Sequence, residues 1–428
     1  MTGFTETMLA DIQENHLPGI DLSEESIHPK YSDQSILNIP SSICHLLDIP
    51  LLENGPLRAD ILDPLGTNAS TIILILMDAL AFHRLQRWLA EDDSLIWNRL
   101  GKSGVFTPIT SIVPSTTSAC LPTLWTGVPP ARHGITGYEM WLKEYGLIAN
   151  MIEHKPAAYR GAGGSLEQAG FVPEDFLAVD SISSHLQQHG VTTHVFQHYS
   201  IIHSGLSKMF VGQAELHPIS TPASLWASVF DLIEERPRER KYIWVYWGSV
   251  DGLSHLHGPD DERNRWEFEL FSEAFERIFL ERLSAAQREK SIVILTADHG
   301  QITTDKRDEH FNLNGHPDFM QMLHLKPAGE SRLTYLYIRP GCEDALRRYV
   351  ADAWPGQFRF LDPAAMLENG LFGPGDPHPR MLDRIGDLIA SAQDHAYWWW
   401  ADKTNPLIGR HGGLSGEEMI VPFLATRL

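Results

Sequence analysis

Ser291-Ile-Val-Ile-Leu-Thr-Ala-Asp-His-Gly300 is a short aliphatic run that stops on an aspartate, a histidine and a glycine. An unbroken apolar run of this length, rich in β-branched residues, reads as a strand buried on both faces of a parallel sheet. Upstream, residues 260–290 carry Trp266, Leu270, Phe271, Ala274, Phe275, Ile278, Phe279 and Leu283, a spacing that predicts one continuous helical face. Before that, Tyr242-Ile-Trp-Val-Tyr-Trp-Gly248 is a second strand leading into Ser249-Val-Asp-Gly-Leu-Ser-His-Leu-His-Gly-Pro259. Strand, long helix, strand is a βαβ unit, so the two strands are expected to be parallel and to deliver their Asp/His motifs to one edge of the sheet. The fold class that follows is α/β.

Working outward, Thr71-Ile-Ile-Leu-Ile-Leu-Met77 is another buried strand; it ends on Asp78 and turns into a helical pattern over Ala79–Leu89. An acidic residue at the carboxyl end of a central strand lies where open α/β sheets bind ligands. Capping of the next helix is an equal reading of Asp78. Further strands are expected at Val191–Gln197, at Arg332–Arg339 and near the end of the chain, with a helix over Ser224–Glu235. Residues 1–70 read as an N-terminal appendage packing on the core, and 71–428 as the main domain. Stretches 136–190 and 301–408 are loop-rich and Pro/Gly-rich, and are expected to contain cap or insert segments. The sequence has no internal repeat.

The 428 residues are 43% hydrophobic and carry 55 acidic against 34 basic side chains, a formal net charge of -21. Such a chain repels nucleic-acid phosphate, and there is no Lys/Arg track. The N-terminus lacks a basic segment followed by an apolar one, so no signal peptide is read, and the apolar runs are too short to span a bilayer. Three scattered cysteines imply neither a disulfide framework nor a cysteine zinc motif. The expected location is the cytoplasm.

Four distant segments deliver Asp or His at a strand end or a Gly-flanked turn: Asp78; Asp251 with His255; Asp298 with His299; and His411. Carboxylates and imidazoles together suit zinc, with manganese or iron as alternatives. Three Asp and three His make two three-ligand sets, each leaving a position open for substrate. A two-metal clamp can hold both the attacking oxygen and a phosphoryl oxygen. Ile112-Val-Pro-Ser-Thr-Thr-Ser-Ala-Cys-Leu-Pro-Thr-Leu-Trp-Thr-Gly127 offers hydroxyls ahead of a helical segment, where Thr117 or a neighbour could be the nucleophile.

These motifs resemble the alkaline phosphatase superfamily, and within it the type I phosphodiesterase/nucleotide pyrophosphatase family. The resemblance rests on Met77-Asp78, Val113-Pro-Ser-Thr-Thr117, Thr126-Gly127, Asp251-Gly-Leu-Ser-His255-Leu-His-Gly-Pro259, Ala297-Asp-His-Gly300 and Arg410-His-Gly-Gly413. It implies an alkaline-phosphatase-like fold, a central mostly parallel sheet sandwiched by helices with inserted cap segments. It selects Thr117, nine residues before the Thr-Gly pair, as nucleophile and ligand. One divalent metal would be held by Asp251, His255 and His411, the other by Asp78, Thr117, Asp298 and His299. One departure stands out: Cys120 occupies the place of an Asn that donates to a phosphoryl oxygen in many nucleotide pyrophosphatases, and a thiol is a poor donor.

The expected activity is metal-dependent hydrolysis of phosphodiester or nucleotide pyrophosphate bonds through a covalent phospho-threonine, on a small-molecule phosphate ester or nucleotide. Phosphomonoester or phosphonate hydrolysis is the nearest enzymatic alternative. A metal-binding or interaction protein that keeps the fold without turnover is the alternative of another class. Arg132, Lys143 and Arg410 could assist phosphate binding but read first as solvated charges. The aromatic set Tyr138, Trp141, Tyr145 and Trp398–Trp400 reads equally as core or as a stacking surface.

Overall fold

A computed structural model describes residues 2–158, 161–304 and 309–428. Seven strands form the central sheet: β1 Thr71–Met77, β2 Val105–Thr110, β3 Thr192–His198, β4 Glu215–Ile219, β5 Lys241–Trp247, β6 Ser291–Thr296 and β7 Ile420–Arg427. Their order is β2-β7-β6-β1-β5-β3-β4. Strand β1 pairs in parallel with both β5 and β6, and β3 in parallel with β5 and β4. The βαβ expectation therefore holds, with β1 seated between the two strands of the unit. Only β7 runs against the rest, antiparallel to β6 and to β2. The protein is α/β, with a largely parallel sheet flanked by helices.

The apolar runs are continuous because both faces of the sheet are covered; every residue of β1, β5 and β6 is buried. Each fully buried Ile or Leu contributes about 1.5–3 kcal/mol, against which stands the entropy of fixing the chain.

The stretch after β5 departs from expectation. Helix α2 spans Ser249–His257 and α3 spans Glu262–Ala274, but Phe275–Phe279 then widens into a π turn and Leu280–Arg282 tightens into a 3₁₀ turn. Phe268, Phe271, Phe275 and Phe279 form the buried stripe, while Trp266 and Leu270 are more than half exposed. Both stripes recur at helical spacing, so periodicity alone does not separate the buried one from the exposed one. The helix after β1 begins at Phe82 rather than at residue 79, since Ala79 turns at φ 60°. Asp78 is thereby freed from capping: the residue before this helix is Ala81. The strand expected at 332–339 is confined to Leu333–Leu336.

A second, antiparallel sheet gathers both inserted stretches. Its order is Phe358–Leu361, Leu388–Ala392, Leu333–Leu336, Ala328–Gly329, Glu139–Leu142, Leu147–Asn150 and Lys155–Pro156. The two halves meet where Gly329 pairs with Glu139. Gly329 turns at φ 86°, and a Cβ there would come 2.7 Å from the Leu333 carbonyl oxygen, so a side chain does not fit. Beside this sheet lies a separate apolar cluster containing Phe319, Trp354 and Trp398, whose ring stacks on Phe358 at 4.0 Å. Most of the Tyr397–Trp400 run is therefore core.

Residues ahead of β1 lie along β2 and under the loop that follows it. Thr5 Oγ1 donates to the Phe106 carbonyl at 2.8 Å. Tyr31 donates to the Leu371 carbonyl at 2.8 Å and accepts from the Val113 N–H at 3.2 Å.

Candidate active site

The topology sends the chemistry-bearing residues to one edge. The carboxyl ends of β1, β5 and β6 carry Asp78, Asp251 and Asp298 with His299; the exit from β2 leads to Thr117, the first residue of helix α1, Thr117–Thr126. Because β7 is reversed, the segment entering it, His411 onward, arrives at this same edge. Asp251, His255 and His411 converge, as do Asp78, Asp298 and His299, the ligating atoms of each set lying within 4.8 Å of one another. Thr117 Oγ1 sits 3.1 Å from His299 Nε2. All seven predicted residues are thus brought together.

Three imidazoles are aimed in the same manner. His299 Nδ1 lies 2.9 Å from the Gly300 carbonyl, His255 Nδ1 2.8 Å from that of Gly409, and His411 Nδ1 3.1 Å from that of Ser115. A carbonyl only accepts, so each ring holds a proton on Nδ1 and turns Nε2 inward, as ligating histidines do. His255 Nε2 is 3.3 Å from Asp251 Oδ1, and His299 Nε2 is 3.5 Å from Asp78 Oδ1 and 3.6 Å from Asp298 Oδ2.

The carboxylates are held by one oxygen each. Asp298 Oδ1 accepts from the N–H groups of His299 at 3.0 Å and Ala79 at 3.3 Å. The Tyr246 hydroxyl donates to Asp78 Oδ2, and the Gln301 amide donates to Asp251 Oδ1. Asp78 Oδ1 and Asp298 Oδ2 are buried without a hydrogen-bond donor among the described residues. Burial, followed by the charges of Asp298 and Asp251, pushes the Asp78 carboxyl well above the ordinary carboxylate range; the bond from Tyr246 works against this. Burial, then His299 and His255, pushes His411 well below the usual imidazole value, toward the neutral form that ligates. Crowded carboxylates with unused buried oxygens beside inward-facing imidazoles fit divalent cations.

Tyr246 and Gln301 were not foreseen: a tyrosine within a buried strand and a glutamine after a turn carry no signal of their own. Cys120 is fully buried, with its Sγ 3.4 Å from the Asp298 carbonyl oxygen and 3.5 Å from Ser111 Oγ, and so packs beneath the turn that carries Asp298 and His299. Burial first, then Asp298, drives its thiol pKa well upward. Arg410 is not the solvated charge expected: it is buried, donates to Asn405 at 2.6 Å and lies 4.0 Å over the Tyr397 ring. Arg132 pairs with Glu53 and Lys143 with Asp383.

The family model for type I phosphodiesterase/nucleotide pyrophosphatase matches residues 72–414. The chain belongs to this family. It is accordingly a hydrolase of the alkaline phosphatase superfamily. Among solved structures, murine ectonucleotide pyrophosphatase/phosphodiesterase 5 superposes with a TM-score of 0.60 at 16% identity, over 83% of this chain and 87% of that one. An inactive variant of the murine protein in complex with AMP matches at 0.60 and 17% identity, over the same shares. Phosphonoacetate hydrolase from Sinorhizobium meliloti, in complex with phosphonoformate, matches at 0.59 and 17% identity, over 83% and 89%. At these identities the likeness is one of fold. No curated protein sequence matches the chain.

Proposed function

We propose that this family member hydrolyses phosphodiester or nucleotide pyrophosphate bonds at a two-metal centre, with Thr117 as nucleophile. The observation that carries the reading is the position of Thr117 Oγ1 at the start of α1, 3.1 Å from His299, whose ring in turn stacks on His411 of the other Asp/His set. Asp251, His255 and His411 would hold one ion; Asp78, Asp298, His299 and Thr117 the other, with zinc the best match to this mixture of oxygen and imidazole donors. Bound divalent ions supply a lowered hydroxyl pKa and positive charge for phosphoryl oxygens.

The chain's own residues supply the rest. The first-turn N–H groups and dipole of α1 favour negative charge at Thr117. Thr117 attacks phosphorus, the leaving group departs, and water then releases the phosphoryl group from the threonine. The burial of Cys120 against Asp298 leaves the backbone of α1, rather than a side chain at position 120, to receive a phosphoryl oxygen. That AMP accompanies one structural relative and a phosphonate another supports a small phosphate- or phosphonate-bearing substrate; phosphonate hydrolysis is the second reading. The free thiols of Cys44, Cys120 and Cys342 support a reducing compartment, the cytoplasm. Among the described residues no helix is long and apolar enough to cross a membrane.

The test compares rates on bis-p-nitrophenyl phosphate, p-nitrophenyl phosphate, p-nitrophenyl thymidine monophosphate and phosphonoacetate, in wild type and Thr117→Ala. Diester or pyrophosphate turnover lost by roughly 10³-fold or more, with metal content retained, supports the reading. Unchanged hydrolysis in Thr117→Ala removes Thr117 from its role, and preference for phosphonoacetate selects the second reading.

A further inference from the structure

Parallel pairing of β3 with β4 sets His194 opposite Glu215 and Phe196 opposite His217. Alternation along the strands then places His194, Glu215 and His217 on one face of the sheet. They lie toward the amino ends of β3 and β4, on the outer edge of the sheet, whereas the candidate active site lies at the carboxyl ends. His194 Nδ1 is 3.1 Å from His217 Nε2 and 3.7 Å from Glu215 Oε2.

The surroundings of His194 fix its tautomer. Its Nε2 lies 3.0 Å from Glu239 Oε1. A carboxylate only accepts, so the proton is on Nε2 and the Nδ1 lone pair faces His217 and Glu215. A carboxylate behind an imidazole is the arrangement that orients ligating histidines. Burial lowers the pKa of both His194 and His217 and so favours their neutral forms. Two donors on a tetrahedral zinc at 2.0–2.1 Å stand about 3.3 Å apart, close to the spacing of the two nitrogens. Glu215 completes the set: Arg236 donates to its Oε1 at 2.9 Å, which leaves Oε2 turned to the imidazoles. His217 itself stacks on Phe196 with centroids 4.5 Å apart, which holds its ring in place.

We propose that His194, Glu215 and His217 form a third zinc site, separate from the hydrolytic centre, with Glu239 as the residue that orients His194. Two imidazoles and one carboxylate suit zinc. The partial exposure of Glu215 gives the ion a way in from solvent. The role that follows from position is structural: one ion fastens β4, the terminal strand of the central sheet, to β3.

The full-length protein is equilibrated with zinc, desalted and analysed for zinc per chain, while hydrolysis of bis-p-nitrophenyl phosphate is followed on the same samples. The variants are His217→Ala and Glu215→Gln, both at partly exposed positions. The expected result is one zinc fewer per chain than wild type in each variant, with the hydrolysis rate unchanged. Equal zinc content in wild type and both variants overturns the proposal and leaves His194 and His217 as an imidazole–imidazole hydrogen bond. Failure of the two-metal reading at the active site would lower the zinc content of all three proteins alike, so it is distinguished from failure here.

Discussion

His299 and His411 stack nearly face to face, with ring centroids 3.9 Å apart and planes 17° apart. One ring belongs to the Asp78/Asp298 set and the other to the Asp251/His255 set, so the two sets share a wall. Loss of either ring removes a ligand from one set and a packing partner from the other. On the proposed two-metal reading, His411→Ala is expected to lose one metal ion and to lower kcat/KM more than about 100-fold, the upper range for outer-shell partners. Elemental analysis and diester hydrolysis on the same preparation check this. Chelation should abolish activity, and zinc should restore it to wild type but not to the variant.

The Tyr246 hydroxyl acts through Asp78. Burial raises its pKa well above the ordinary phenol value, so it stays protonated and donates to Asp78 Oδ2. Tyr246→Phe deletes that donor and leaves the ring. Zinc affinity should fall roughly 10–100-fold with the fold intact, as for other residues that orient ligands. Competition against a chelating dye measures it; unaltered affinity would assign Tyr246 to packing alone.

Arg332, in the inserted sheet region, reaches Glu418 through Nε at 2.8 Å and Nη2 at 3.0 Å, with both side chains essentially inaccessible to solvent. Glu418 also accepts from the Gly413 N–H at 2.8 Å, two residues beyond His411. Arg332→Met strands the carboxylate in a dry place. Breaking such a pair costs about 3–5 kcal/mol, which should show as a lower urea midpoint. Arg332→Met combined with Glu418→Gln should recover part of the loss, because no uncompensated charge then remains.

Glu330 is buried between the segments that precede Thr117 and follow His411; it accepts from the Tyr138 N–H at 2.6 Å and packs against Gly412. Burial raises its pKa to about 8, against the pull of its bonds from Thr116 and Tyr138. The folded state therefore holds this proton more tightly than the unfolded chain does. Its contribution to stability is full below the ordinary carboxylate range and is lost as pH rises through about 8. Glu330→Gln should match wild type near pH 5 and melt at a higher temperature than wild type near pH 9. Thermal unfolding across that range checks the sign.

The site was legible to the extent that its residues end apolar runs. Asp78 and Asp298 could be read because β1 and β6 are buried on both faces, so an acidic residue closing each run interrupts the pattern. Asp251 and His255 sit one helical turn apart on α2, a spacing visible in the sequence. Tyr246 could not be read, because inside β5 it is one more aromatic among the strand's buried residues. Nor could Arg410, whose burial depends on Tyr397 and Asn405 closing over it from a neighbouring loop. The second sheet was hidden for a related reason. Its halves come from two distant stretches whose strands pair where Gly329 meets Glu139, and apart from the strand at Leu333–Leu336 their short strands read as loop.

The placement of β7 between β2 and β6 bears on how the chain comes into being. Last of the seven strands in chain order, β7 is an interior member of the sheet, and the loop leading into it carries His411. A nascent chain can therefore assemble β1, β5 and β6 on the ribosome but holds two unjoined edges until β7 emerges. Catalytic competence should arrive only once β7 has joined the sheet, and termination before or within β7 should yield a split sheet prone to aggregation rather than a partly active enzyme.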